Sequence, residues 1–158
     1  MYLLPPETIR PNTIHQLDAL ALLRALPSGS VSLIATDPPY NGVKDEAWDN
    51  QWRDDRAYLD WLSLHLAEMR RVLKPNGSLY LFASPRMAAR VEVLVSEYFN
   101  VLNQIVWYKT TGNRNWAADK ESIRSFLPNT ERVIFAEQYG ADSPYQGALI
   151  DGNSTYWN

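Results

Sequence analysis

An α/β fold built on a doubly wound, largely parallel sheet is predicted by three features of the sequence. Apolar runs of strand length alternate with longer stretches of helical periodicity, and Pro/Gly-containing turns separate the two. The run Val31–Ala35 is apolar without strict alternation, as in a strand covered on both faces. Such an alternation implies right-handed βαβ units. At 158 residues, with 46% hydrophobic and 12% aromatic content, the chain can bury one real core.

The elements follow in order. Thr13–Leu17, after Pro11-Asn12, reads as a short strand, with His15 a hydrogen-bonded sheet residue. Asp18 stands at an N-cap position before a helix over Ala19–Leu26, whose Leu22, Leu23 and Leu26 share a face and which Pro27 closes. The turn Pro27–Ser30 leads into the strand Val31–Ala35. Gly42–Trp52 is an aperiodic loop with Trp48 and Trp52 among acids; the tryptophans either pin it to the body or help it close over a ligand, and it is expected to be mobile without one.

Asp54 or Asp55 caps a long helix running to about Leu73, in which Tyr58, Leu62, Leu66, Met69 and Leu73 form the packed stripe. Arg70, Arg71 and Lys74 suit its C-terminal dipole, and His65 beside the stripe reads as structural. Lys74–Gly77 is predicted as a turn and Ser78–Phe82 as a strand. Ser84 with Pro85 marks the start of a third helix that buries Met87, Val91, Leu94, Val95 and Tyr98. Val101–Tyr108 and Thr130–Ala136 are the remaining strands. Gly112–Pro128 between them reads as loop with at most a turn of helix. Residues 1–140 make one domain, and 141–158, without periodicity, an irregular tail.

The strand Val31–Ala35 ends in Thr36-Asp37-Pro38-Pro39-Tyr40-Asn41, and this stretch carries the chemistry. Prolines lack an N–H and fix φ, so they stop sheet pairing and hold the chain stiff past the strand's C-terminal edge, where ligands bind in open α/β sheets. An exocyclic amine on a planar base needs two N–H groups accepted and its ring stacked. Asp37 and the Pro38 carbonyl can accept, and Tyr40 can stack. Two well-aimed acceptors draw a delocalised nitrogen toward tetrahedral geometry, so no strongly basic side chain is required.

Thr36–Asn41 resembles the catalytic motif of the S-adenosylmethionine-dependent DNA amino-methyltransferases, which methylate adenine N6 or cytosine N4. Arg71–Phe82 is similar to the family's stretch after the catalytic strand, and Trp107-Tyr108-Lys109 to the end of its sixth strand. The resemblance spans roughly Thr13 to Gly140 and fits the β group, which has its catalytic motif near the N-terminus. It implies a Rossmann-like sheet whose last strand is antiparallel and tucked between the previous two, with Asp37, Pro38, Pro39 and Tyr40 as catalytic residues. It further implies that Asp18 and Asp37 contact S-adenosylmethionine, with Asp18 receiving the cofactor's adenine amine; helix capping is an equal reading of Asp18. Asn41 and Lys109 are the implied DNA contacts, with plain turn and strand-end roles as their alternatives. The implied activity is adenine-N6 methylation of a flipped-out base in DNA, as in restriction-modification systems. The alternatives are N4-cytosine methylation, or an inactive remnant that only binds DNA or a partner.

The sequence also departs from the family. Seven glycines occur and no two form Gly-x-Gly, so the family's glycine-rich cofactor turn is absent, as are the two strands that would lie between Thr13–Leu17 and the catalytic strand. A fully developed target-recognition region is missing too, unless 141–158 begins one. One edge of the Val31–Ala35 strand is therefore expected to lack a neighbour, a hazard that a second chain or a missing C-terminal half would remove. A homodimer is a further open arrangement.

Composition bounds the rest. No cysteine and only two histidines argue against disulfide and metal chemistry, and no metal is expected. A net charge of −3 is not that of a dedicated nucleic-acid binder, although Lys109–Arg132 holds a small basic excess. With neither a membrane-length apolar run nor a signal-like start, the expected location is the cytoplasm.

Overall fold

A computed structural model of the protein describes residues 9–42, 46–109 and 129–138. Its order is helix α1 (Ala19–Ala25), strand β1 (Val31–Thr36), a 3-10 turn (Ala47–Asp49), helix α2 (Asp55–Val72), strand β2 (Leu73–Ala83), helix α3 (Ala88–Ser96) and strands β3 (Asn100–Tyr108) and β4 (Thr130–Glu137). The strands form one sheet in the order β1-β2-β4-β3. β1 and β2 are parallel, while β4 is antiparallel to both β2 and β3 and lies between them, as expected.

Helix α2 is the centre of the core. Asp54 caps it by accepting from the Ala57 N–H at 2.8 Å, and the predicted stripe Tyr58, Leu62, Leu66 and Met69 is buried; its last predicted member, Leu73, is buried as the first residue of β2, and Val72 closes the helix in its place. Each such side chain contributes roughly 1.5–3 kcal/mol of transfer free energy. They pack with Leu23 of α1, Leu79, Leu81 and Ala83 of β2, Val91 and Val95 of α3, and Ile134 and Ala136 of β4. Alternation along β2 and β4 puts these strand residues on one face, so all three helices cover the same side of the sheet.

The opposite face carries Leu33, Tyr80, Phe82, Val133, Phe135, Ile105 and Trp107. Tyr80 stacks on Phe135 with ring centroids 4.6 Å apart, and Phe82 meets Trp107 edge-on. Leu33 is 56% exposed and Trp107 52%. Among the described residues no helix covers this second face, and β1 has a strand neighbour on one side only, the arrangement expected from the absent strands.

Five expectations need correcting, the first being that β1 is covered on both faces: Ser32, Leu33 and Ala35 are exposed, because the helices cover one side of the sheet. Thr13–Leu17 is not a strand and Ile14 is 98% exposed, because no described strand lies where it could pair. His15 is accordingly no sheet residue; its ring bonds the Arg10 carbonyl at 3.1 Å. Lys74–Gly77 is not a free turn but an irregular insertion within β2, since Val31 pairs with Leu73 and Leu33 already with Ser78. Helix α3 begins at Ala88 and not at Pro85, because Ser84–Met87 forms a turn in which the Ser84 carbonyl, not its side chain, accepts from Met87 and Ala88. The loop and tail expected over 112–128 and 141–158 lie outside the described residues.

Arg71 does more than complement the end of α2. It donates to the carbonyls of Leu23 at 2.7 Å and Leu26 at 2.9 Å, satisfying the C-terminal carbonyls of α1, while its own carbonyl accepts from Gly29 N–H at 3.0 Å. Gly77 marks a close approach in the β2 insertion. A Cβ there would lie 2.7 Å from Leu73 Cδ2 and 3.0 Å from the Lys74 carbonyl oxygen. Leu73 is fully buried and cannot swing away. Gly77→Ala is therefore expected to destabilise the fold by about 1–3 kcal/mol, read as a lower denaturation midpoint in urea.

Candidate active site at the C-terminal rim of β1

The pairing of β1 with β2 ends at Thr36, and Asp37–Asn41 continues past the rim. Asp37 is exposed, while Pro38, Pro39 and Tyr40 are half-buried. The Asp37 carboxylate also lies close to the Tyr40 phenol, so acid and ring are brought together at the rim.

Three successive N–H groups then turn toward one residue. Tyr40 and Asn41 donate to Asp49 Oδ1, the second at 3.0 Å, and Gly42 donates to the Asp49 carbonyl at 2.8 Å. The turn requires positive φ at Asn41 (58°) and Gly42 (88°), which Asn and Gly tolerate better than other residues. Asp49 is 1% exposed, and the N–H groups it accepts help to compensate its buried charge. Trp52 fixes the end of this loop against Tyr58 and Trp61, with centroids 5.1 and 4.8 Å away, whereas Trp48 is 53% exposed.

A second set of contacts lies behind the turn. Asn41 Nδ2 donates to Asp55 Oδ1 at 3.0 Å, and Arg86 grips the same carboxylate through both Nη atoms at 3.0 Å while donating to the Asn41 carbonyl at 2.8 Å. Arg90 also donates to Asp55. The Arg86 hydrogen bond, and then the two guanidinium charges, hold the Asp55 carboxyl below the usual carboxylate range.

Burial first, and the nearby Asp37 carboxylate second, push the Tyr40 phenol well above its ordinary value. The ring therefore stays neutral at physiological pH. Its hydroxyl is buried and makes no well-formed hydrogen bond. Burial likewise raises Tyr58, with Asp49 and Asp37 adding to the effect.

Of the other sequence candidates, Asp18 caps α1 by accepting from Ala21 N–H at 2.9 Å and is exposed. Asn41 is 8% exposed, with its amide facing Asp55. Lys109 is ion-paired with Glu131 and lies 5.9 Å from the Trp107 ring centroid. His65 bonds the Trp61 carbonyl within the core, a structural role. Asp49, Arg86 and Arg90 escaped sequence reasoning, and Asp55 was read only as a possible helix cap; the only hint of Asp49 was an acid set between Trp48 and Trp52. Among the described residues no group of three or more His, Cys, Asp or Glu side chains is placed to hold a metal, and no helix is long and apolar enough to cross a membrane.

A parallel-paired strand running into a rigid acid-diproline-aromatic rim, backed by helices, defines the class of α/β amino-methyltransferases. A family model described as DNA methylase, of the N6/N4 methyltransferase type, matches residues 31–151, and the chain belongs to that family. It is 33% identical over 147 residues to DNA adenine methyltransferase YhdJ of Escherichia coli (strain K12), covering 88% of this chain and 50% of that protein. It is 30% identical over 125 residues to the type II methyltransferase M.HpaI of Haemophilus parainfluenzae, covering 75% of this chain and 39% of that one. The chain thus spans half or less of the length of these relatives.

Among solved structures, TTHA0409 of Thermus thermophilus, described as a putative DNA modification methylase complexed with S-adenosyl-L-methionine, has a TM-score of 0.57 at 25% identity, covering 82% of this chain and 54% of that one. The cytosine-N4-specific PvuII DNA methyltransferase has a TM-score of 0.61 at 20% identity, covering 77% and 48%, and so shares the fold.

Asp49→Ala leaves the N–H groups of Tyr40 and Asn41 without their acceptor and should cost about 1–3 kcal/mol in chemical denaturation. The Asp55 interaction is pH-dependent with a definite sign. Because its folded pKa is depressed, its stabilisation is present above the ordinary value of 3.8 and is lost as pH falls below it through the folded value. Melting temperatures compared between about pH 6 and pH 3 should therefore fall further for the wild type than for Asp55→Asn.

Proposed function

We propose that this chain is the base-receiving part of a DNA methyltransferase that methylates the N6 amine of adenine. The observation that carries the reading is the exposed Asp37 carboxylate, stiffened by Pro38 and Pro39, beside the neutral, half-buried ring of Tyr40. In this reading the target base leaves the duplex and stacks on Tyr40. Asp37 and the Pro38 carbonyl each accept one N–H of its amine, aiming the nitrogen lone pair away from the ring plane. Asp37 can also take up the proton that the nitrogen sheds once it has been alkylated.

The donor set suits S-adenosylmethionine. An exposed carboxylate is a fitting neighbour for a sulfonium cation, and Asp18, with one oxygen used in capping α1, has a second available for an amine. When bound, the cofactor supplies an electrophilic methyl group. Adenine is favoured over cytosine by the Asp before Pro-Pro-Tyr and by the adenine activity named for the Escherichia coli relative. The PvuII likeness speaks to the fold alone.

The one-sided pairing of β1 and the exposed apolar side chains of Leu33, Ile105 and Trp107 support a sheet completed by strands from outside the described residues. Sedimentation velocity tests the homodimer alternative, which a monomeric species at all concentrations would contradict.

Incubating the chain, together with a polypeptide that supplies the glycine-rich cofactor turn it lacks, with DNA and methyl-labelled S-adenosylmethionine, followed by nucleoside analysis, should yield N6-methyladenine. Label in N4-methylcytosine would overturn the adenine assignment. Asp37→Ala should abolish transfer while shifting stability by no more than about 0.5 kcal/mol, as befits an exposed position. Transfer retained by that variant would refute the role of Asp37.

A further inference from the structure

Two guanidinium groups converge on a single carboxylate immediately behind the target-receiving turn. Asp55 balances one of them, so Arg86, Arg90 and Asp55 together carry a net charge of +1. The cations also lie further out than the acid: their side chains are 53% and 60% exposed, against 27% for Asp55. Lys109, the contact suggested by sequence, is by contrast neutralised by Glu131.

Position adds to charge. Arg86 Nη2 donates to the Asn41 carbonyl at 2.8 Å, which ties the pair to the end of the Asp37–Asn41 segment. Asp37 and Asn41 are four residues apart, at most about 14 Å of chain. Duplex DNA presents one phosphate charge per 3.4 Å of axis on each strand, so the Asn41 carbonyl that Arg86 holds lies within roughly four phosphates of the target nucleotide. A guanidinium carries five N–H donors in a planar fork that matches phosphate oxygens, more than one carboxylate can occupy.

We infer that Arg90, supported by Arg86, grips a backbone phosphate of the DNA next to the flipped base. The inference rests on the DNA-methylating function proposed above. Arg90 is the residue to probe, because Arg86 also holds the Asn41 carbonyl whereas Arg90 reaches the turn only through Asp55.

The test is fluorescence anisotropy with a labelled DNA duplex, titrated with the protein at several KCl concentrations. Arg90→Gln should weaken binding several-fold at low salt and reduce the slope of log K against log salt by about 0.9, the signature of one lost phosphate contact. Arg90→Lys should retain the slope. Circular dichroism spectra of both variants at the assay temperature should match the wild type. Unchanged affinity and slope in Arg90→Gln would overturn the inference and leave the methylation reading standing, as would weaker binding with an unchanged slope. A wild-type protein that binds no DNA at any salt would overturn both.

Discussion

The buried carboxylate of Asp49 is the constraint on which the site depends. The segment after β1 is unusually poor in ways to hold itself: Pro38 and Pro39 donate no hydrogen bond, and Asp37 is exposed. Order must come from beyond the prolines, and it does so through three consecutive N–H groups that all end on Asp49. A carboxylate with little solvent contact needs those donors as much as the turn needs an acceptor. Each side of the arrangement makes the other tolerable, and the result is a fixed exit angle for the acid and the ring.

Helix α2 extends this logic. Its first turn supplies Asp55, which gathers Asn41, Arg86 and Arg90; its buried stripe forms the core; its last turn supplies Arg71, which closes α1. One amphipathic helix therefore does three separate jobs, and the aromatic contacts among Trp52, Tyr58 and Trp61 join the loop that bears Asp49 to the same helix. The sheet supplies direction and α2 supplies position.

Much of this was legible in the sequence. Periodicity revealed α2 and its stripe, a mostly apolar run revealed β1, and a diproline after it located the rim. The antiparallel β4 was legible only through family resemblance, because strand order has no signature in periodicity. Thr13–Leu17 misled because β-branched and apolar residues describe a willingness to pair, and pairing also needs a neighbour. Ser84-Pro85 looked like a helix start, yet the Ser84 carbonyl took the part that its side chain was expected to play. The partners of the motif stayed hidden for a different reason. Asp49 sits in a stretch with no period, and Arg86 meets Asp55 across 31 positions of sequence, a distance that only the packing of α3 against α2 closes.

A last consequence follows from where α2 begins and ends. Its C-terminal Arg71 holds Gly29, just before β1, and its N-terminal Asp55 holds Asn41, just after. Strand β1 is thus anchored at both ends by the two tips of one helix. The entry and the exit of β1 therefore share one reference, and a tilt of α2 would move both ends of the strand together.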